Sequence, residues 1–396
     1  MKLKTLKDAA KEIKLAGKAV LLRVDYNVSI KNGKICDDTR ITESLPTIEF
    51  LLKKGTKIIL MSHLGRPKGV DENLRLNPVA DHLSKLLKRP VIKLDSCVGP
   101  AVEAAIQSLH KGDILMLENT RFHKEEEEND PEFSKKLAGY ADLYVSDAFG
   151  TVHRAHASTE GVSHYLPSYA GFLIEKEIKN LEPLLKNPAS PFVLLIGGAK
   201  IDTKIGILEN FIKKADSILI GGGLANTFLA ARGFDVGNSL CEKDKIETAQ
   251  DIMLKAEKSK CSLVLPEDVI VADEISDDVV TADAEITGVE GNMQILDIGK
   301  KSLEKFIEIL NKAKTIIWNG PVGLFEKKAF ERGTKEIALA LTKVKAKTYL
   351  GGGDTLDAIK KFGIKEDSYT HVSTGGGAML EYLEGRELPG IKVLIG

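Results

Sequence analysis

The residues with the most chemical promise lie at Gly351-Gly352-Gly353-Asp354-Thr355. A short β-rich run, Lys347-Thr348-Tyr349-Leu350, leads in, and a helical pattern, Leu356 to Phe362, leads out. This order predicts a strand, a glycine turn and a helix start. Glycine lets backbone approach a ligand closely, and the free N–H groups of a helix N-terminus favour an anion. A carboxylate at Asp354 would repel a phosphate there unless it holds Mg2+, a hard cation that takes oxygen ligands and bridges phosphates. Taken alone, the same five residues read equally well as a tight turn with an N-capping Asp.

The wider chain tilts that balance. Consecutive glycines are absent from residues 1–190 and then recur at Gly197-Gly198, Gly221 to Gly223, Gly351 to Gly353 and Gly375 to Gly377. In a parallel α/β sheet such turns share the carboxyl edge of the strands, where ligands bind. Arginine shows the reverse bias: Arg23, Arg40, Arg66, Arg75, Arg89, Arg121 and Arg154 all precede residue 190. Several follow predicted strands, so their side chains should converge on one pocket for phosphate or carboxylate. Any one of them taken singly reads as a surface charge. Lys200 and Lys204, four residues apart after Gly197-Gly198, are expected to share a helical face turned toward the phosphates. One half suits nucleotide phosphates and the other a small polyanion, which together imply phosphate transfer.

Charge and composition narrow the classes. The 396 residues favour two domains, and the formal net charge of −1 points to neither nucleic acid nor an anionic membrane. Four dispersed cysteines (Cys36, Cys97, Cys241 and Cys261) read as reduced thiols. The first residues hold no apolar stretch suited to a signal peptide, and no segment approaches a membrane span, so a cytoplasmic location is expected. The run Glu125 to Glu128 reads as a solvated helix start.

The elements that must position these residues alternate β and α throughout. The expected fold is α/β: two doubly wound parallel-sheet, Rossmann-like domains facing each other across a cleft. Their strands are brief and nearly all apolar, as strands buried on both faces should be. A helix over Gly171–Lys186, stopped by Pro188 and Pro191, marks the boundary. The expected division is 1–170, a linker over 171–188, and 189–379, with a tail over 380–396. Val269–Ala272 and Val279–Ala282 look extended and are expected as edge strands.

At this point the sequence closely resembles the phosphoglycerate kinase family over essentially its whole length. The resemblance rests on an ordered set: Leu22-Arg23-Val24-Asp25-Tyr26-Asn27-Val28, Ser62-His63-Leu64-Gly65-Arg66-Pro67, Glu118-Asn119-Thr120-Arg121-Phe122, Asp147 to Thr151, His153-Arg154-Ala155-His156, Gly197 to Lys200, Trp318 to Gly323, Gly351 to Thr355 and Ser373 to Gly377. It implies a two-lobed, usually monomeric, hinge-bending kinase that moves phosphate between ATP and 3-phosphoglycerate, with Mg2+ accompanying the nucleotide. The tail would pack back on the first domain. By motif, Asp25, Asn27, Arg40, His63, Leu64, Gly65, Arg66, Arg121 and Arg154 would bind phosphoglycerate. Gly198, Ala199, Lys200, Lys204, Gly222, Asn319, Pro321, Glu326, Gly352, Gly353, Asp354 and Thr355 would bind the nucleotide, with Glu326 on the ribose and Asp354 on the metal. Arg40, Lys204, Asp354 and Gly376 would carry the transfer. Ser29 stands where the family usually has Pro, which would loosen the substrate loop. Ile295 precedes Leu296-Asp297 where many relatives have Gly, so no nucleotide contact is expected there.

The acceptor carboxylate is ionised at neutral pH, so no general base is required. Two other classes remain to be weighed. A NAD-dependent dehydrogenase needs GxGxxG, which is missing, and a purely nucleotide-binding protein leaves the arginine-rich half unexplained.

Overall fold

Alternate residues of Ala19–Val24 are buried in different places. Val20, Leu22 and Val24 join one apolar cluster with Ile58, Leu60 and Val145, while Leu21 joins another with Ile59 and Tyr144. A strand apolar on both faces must be covered on both faces, which accounts for the helices between successive strands. The computed structural model describes residues 2–396. It divides into two compact units, Met1–Asn180 with Glu387–Gly396, and Leu181–Arg386.

The first unit contains β1 (Ala19–Val24), β2 (Ile30–Lys31), β3 (Lys34–Ile35), β4 (Lys57–Met61), β5 (Ile92–Lys93), β6 (Ile114–Met116), β7 (Leu143–Asp147) and β8 (Ser168–Ala170). Its main sheet runs β5-β6-β4-β1-β7-β8, all pairs parallel, with β2 and β3 as a separate hairpin. The second unit contains β9 (Phe192–Ile196), β10 (Ser217–Ile220), β11 (Ser262–Val264), β12 (Asp268–Ala272), β13 (Ala282–Glu285), β14 (Gln294–Ile298), β15 (Thr315–Asn319), β16 (Lys347–Gly351) and β17 (His371–Val372). Its parallel sheet runs β11-β10-β9-β15-β16-β17. In both sheets the strand order reverses beside the first strand, β1 or β9, which creates the carboxyl-edge crevice where ligands bind.

Two sequence expectations need correction. The extended segments after residue 267 do not edge the main sheet. They form their own antiparallel sheet, β13-β12-β14. Residues 279–281 lie outside any strand, and the pairing partner is β13, whose Ala-Asp-Ala-Glu sequence carries little strand propensity. The expected 380–396 tail divides. The Gly377–Leu383 helix belongs to the second unit, and Glu387–Gly396 packs on the first through Gly390 N–H to Val152 (2.9 Å) and Lys4 N–H to Leu394 (2.8 Å). The division between units falls inside the Phe172–Lys186 helix, which also contains Pro183 and so lacks one N–H of its ladder.

Candidate functional site

The strands of the second unit end in a glycine-walled cavity of about 360 Å³. Gly197 and Gly198 follow β9, Asn319 and Gly320 close β15, and Gly352 opens the Gly353–Lys361 helix after β16. Gly320 has φ +92°, and a Cβ there would run into the Gly197 carbonyl, so only glycine lets the two turns lie this close. The fully buried Trp318 donates its indole N–H to Gly320 O at 2.8 Å, and Thr355 Oγ1 accepts from Gly320 N at 2.7 Å. Asn319 ties the turns together: its side-chain N–H reaches Gly351 O (2.6 Å), and its Oδ1 accepts from Lys204 Nζ.

Lys204 is the one lysine drawn into this wall, and burial lowers its pKa to about 8, opposed by Asp354 and Glu384. Lys200 lines the cavity but stays exposed. The expected shared helical face does not form, because the helix starts at Ile205, with Lys204 as its cap. Asp354 is exposed on the first turn of the helix after β16.

A second cavity, about 220 Å³, abuts the first at Gly198, Ala199 and Asp354. Leu229, Leu240, Val269, Ile275 and Val322 make it apolar, and Gly222, Pro321 and Glu326 also line it. Ile295 lines it too, contrary to the expectation of no contact there: β14 places Ile295, Leu296 and Asp297 along its wall. Every nucleotide residue carried over by motif, together with Gly376, therefore borders one of these two adjoining cavities. Leu240 and Ile275 were invisible to motif reasoning. They are large apolar side chains 57% and 48% exposed, a signal that needs a surface to be seen.

In the first unit, cationic side chains gather at the carboxyl ends of β1, β4, β6 and β7. His63, buried just after β4, sits within the field of Arg23, Arg121, Arg40 and Arg154. Burial first, then those four charges, hold its pKa well below the ordinary histidine value. His156 is lowered to about 4 by burial and by Arg121, Arg23 and Arg154. Both rings are therefore neutral at physiological pH.

These arginines are not bare cations, as their crowding in sequence suggested. Arg40 Nη1 meets Asp25 Oδ2 at 2.7 Å, and Arg121 Nε lies 3.0 Å from Glu127. Arg154 Nε donates to His153 (3.1 Å). A loop knits the rest: Asn27 Oδ1 accepts from Gly65 N (2.9 Å), Arg121 Nη1 donates to Gly65 O (2.7 Å), and Asn119 Oδ1 accepts from Leu64 N (3.1 Å). Ser29 O accepts from Cys36 N at 2.9 Å, where the β2–β3 hairpin closes. Arg66 stands exposed on the same loop as Gly65. Arg75 is engaged by Glu72 and Glu118, and Arg89 donates to Gly112 O. Arg23 is the residue missed by the site expectation. A charge inside the apolar run Val20-Leu21-Leu22-Arg23-Val24 was the available signal, and it is 1% exposed. Glu126, expected in a solvated run, is fully buried.

Among the described residues no cluster of three or more His, Cys, Asp or Glu could hold a metal unaided. Among the same residues no helix is long and apolar enough to cross a membrane.

Comparison with known proteins agrees with this geometry. The family described as Phosphoglycerate kinase matches residues 10–386. A curated phosphoglycerate kinase of Dictyoglomus turgidum is 52% identical over 392 residues, 99% of this chain and 98% of that one. The Moorella thermoacetica enzyme is 50% identical, covering 97% and 98%. The solved phosphoglycerate kinase structure from Coxiella burnetii has a TM-score of 0.88 at 42% identity, with 99% of each chain covered. That from Pyrococcus horikoshii has 0.86 at 35%, covering 99% of this chain and 98% of that one.

Proposed function

The chain belongs to the phosphoglycerate kinase family and transfers a phosphoryl group between ATP and 3-phosphoglycerate in glycolysis, and from that premise we propose how its two units divide the work. The second unit takes the nucleotide. Its adjoining cavities, one apolar and one glycine-walled, suit an adenosine and a phosphate chain in turn, and this adjacency carries the assignment. Glu326 on the apolar side takes the ribose hydroxyls. Lys204 and the backbone N–H groups at Gly353 and Asp354 take the phosphates.

The donor set fits a magnesium ion arriving with the nucleotide. Mg2+ keeps several waters and is commonly held by one or two carboxylates plus substrate phosphates, and Asp354 is an exposed carboxylate at the junction of the two cavities. When bound there, the ion would neutralise phosphate charge. Lys204, which lines the same cavity, supplies a cation of its own.

The first unit takes 3-phosphoglycerate through Arg40, Arg121, Arg154, Arg66 and His63, with Asp25, Asn27, Leu64 and Gly65 shaping the loop around them. Asp25 holds Arg40 in one orientation, so its second nitrogen can face the acceptor carboxylate. Two neutral histidines suit a site that needs hydrogen-bond donors and no base. Catalysis is then positioning plus charge stabilisation of the group in transfer. Each half-site belongs to its own unit, so transfer requires the units to close, which also excludes water. Small-angle scattering that gives identical dimensions with and without both substrates would refute the closure.

A coupled assay with ATP, Mg2+ and 3-phosphoglycerate tests the assignment. Asp354→Ala should keep 3-phosphoglycerate binding and lose most turnover. Unchanged dependence on Mg2+ in that variant would remove Asp354 from the metal.

A further inference from the structure

Within the run Glu125 to Glu128, Glu126 alone is fully buried. Its carboxylate accepts from Ser158 N (2.9 Å), from the Ser158 hydroxyl (2.5 Å) and from the Thr120 hydroxyl (3.3 Å). A serine hydroxyl has a single proton, and here it is directed at Glu126. The Ser158 oxygen is thereby left as an acceptor, and Arg23 Nε donates to it at 2.8 Å. Arg23 Nη1 is engaged by the carbonyls of Val24 and Met61, and Nη2 lies 3.1 Å from Nδ1 of His63. A guanidinium has no acceptor, so Nδ1 must be the bare nitrogen. The neutral His63 ring then carries its proton on Nε2.

Burial gives this chain a reason to exist. Arg23 is 1% exposed, too enclosed to meet a substrate itself, and a buried guanidinium needs a counter-charge. Glu126 supplies it one serine away. We propose that Glu126 is a positioning residue for the phosphoglycerate half-site: through Ser158 and Arg23 it fixes His63 as an Nε2–H donor for the oxygens of the bound acid. The inference rests on the reading of His63 as part of that half-site.

Imidazole 15N NMR of the full enzyme, with kinetics of Glu126→Gln, Ser158→Ala and His63→Gln, tests the proposal. The wild-type His63 should show a bare Nδ1 and a protonated Nε2. Glu126→Gln presents an amide to the Ser158 donors, so the relay loses its direction and His63 should populate both tautomers. KM for 3-phosphoglycerate should rise roughly tenfold, the lower end of what losing a supporting partner costs in metal sites. KM for ATP should stay within about twofold, a split that a general loss of structure would not give. Ser158→Ala should move both readouts the same way, and it decides the matter if Glu126→Gln fails to fold. A protonated Nδ1 in the wild type overturns the proposal. So does an equal rise in both KM values, or an unchanged KM for 3-phosphoglycerate in Glu126→Gln and Ser158→Ala while His63→Gln raises it. If His63→Gln also leaves that KM unchanged, the half-site reading itself falls, and the relay with it.

Discussion

In the second unit the walls of the cavity are backbone. Gly197 and Gly320 bring main chain together, Gly198, Gly352 and Gly376 join them in the wall, and the charges are few: Lys204 half-buried, Lys200 and Asp354 exposed. In the first unit the equivalent edge of the same kind of sheet is lined with guanidinium groups, of which Arg23, Arg40, Arg121 and Arg154 are each held by a carboxylate, a serine or a histidine. On the division of work proposed above, the contrast follows from the ligands. A triphosphate with its metal has many oxygens and would be gripped by close-set N–H groups, so shape would decide. A small acid has few atoms, so the charge at each must be supplied from the side and fixed in direction. The second unit should therefore fail through bulk and the first through charge.

The sharpest way to break that contrast is Arg40→Ala. It removes a charge from the first unit and leaves every glycine turn intact. Turnover should fall about 10²–10³-fold, as on loss of an oxyanion donor, with ATP affinity unchanged. Near-normal turnover would show that charge is not what the first unit contributes.

Next comes bulk. Gly320→Ala places a Cβ against the Gly197 carbonyl at φ +92°, where neither backbone can yield. Gly65→Ala also forces a positive φ (+65°), yet its Cβ meets only the Leu74 side chain, at 2.9 Å, which can turn away. The first should cost stability by about 1–3 kcal/mol and weaken ATP binding, the second clearly less. Thermal unfolding with and without ATP compares them, and equal losses would erase the distinction between a wall of backbone and a wall of side chains.

Most of the fold could be read from apolar runs and glycine turns. The strands Phe192–Ile196 and Ser217–Ile220 are nearly all apolar, as the sequence analysis expects of strands buried on both faces. The β12–β14 sheet was harder. Polar β13 is held by pairing along its backbone, which leaves little trace in side-chain pattern. The site divides the same way. Glycines and arginines announce themselves, whereas Glu126 hides in a run of like charges and Arg23 in a core strand, because what defines them is a partner more than 30 residues distant in sequence.

A smaller effect concerns Lys204. Burial leaves it protonated below about pH 8, and the proton is lost as pH rises through that value. kcat/KM for ATP should fall up to tenfold per unit above pH 8, since this ratio reports the free enzyme. In Lys204→Arg the falling limb should vanish, a guanidinium being charged throughout. Stability should move oppositely. Between about pH 8 and the ordinary lysine value the unfolded chain binds more protons, so the penalty of burying Lys204 lifts as pH rises. Lys204→Met should therefore be more stable than wild type at pH 7 and lose that advantage above pH 10.

Salt should separate the two units least, but still measurably. Near the glycine cavity the cations Lys200 and Lys204 stand against Asp354, Glu326 and Glu384, so the long-range field is nearly balanced. At the other edge Arg23, Arg40, Arg66, Arg121 and Arg154 outnumber Asp25, Glu126 and Glu127. Raising ionic strength from 0.01 to 0.15 M shortens the screening length from about 30 to about 8 Å, which removes distant attraction and spares contacts. Affinity for 3-phosphoglycerate should weaken by about threefold more than affinity for magnesium-bound ATP. Arg66→Gln, which removes the most exposed of these cations, should shrink that difference first. Equal salt slopes for the two ligands would mean that the carboxylates of the first unit already cancel its field, and that its arginines act only at contact distance.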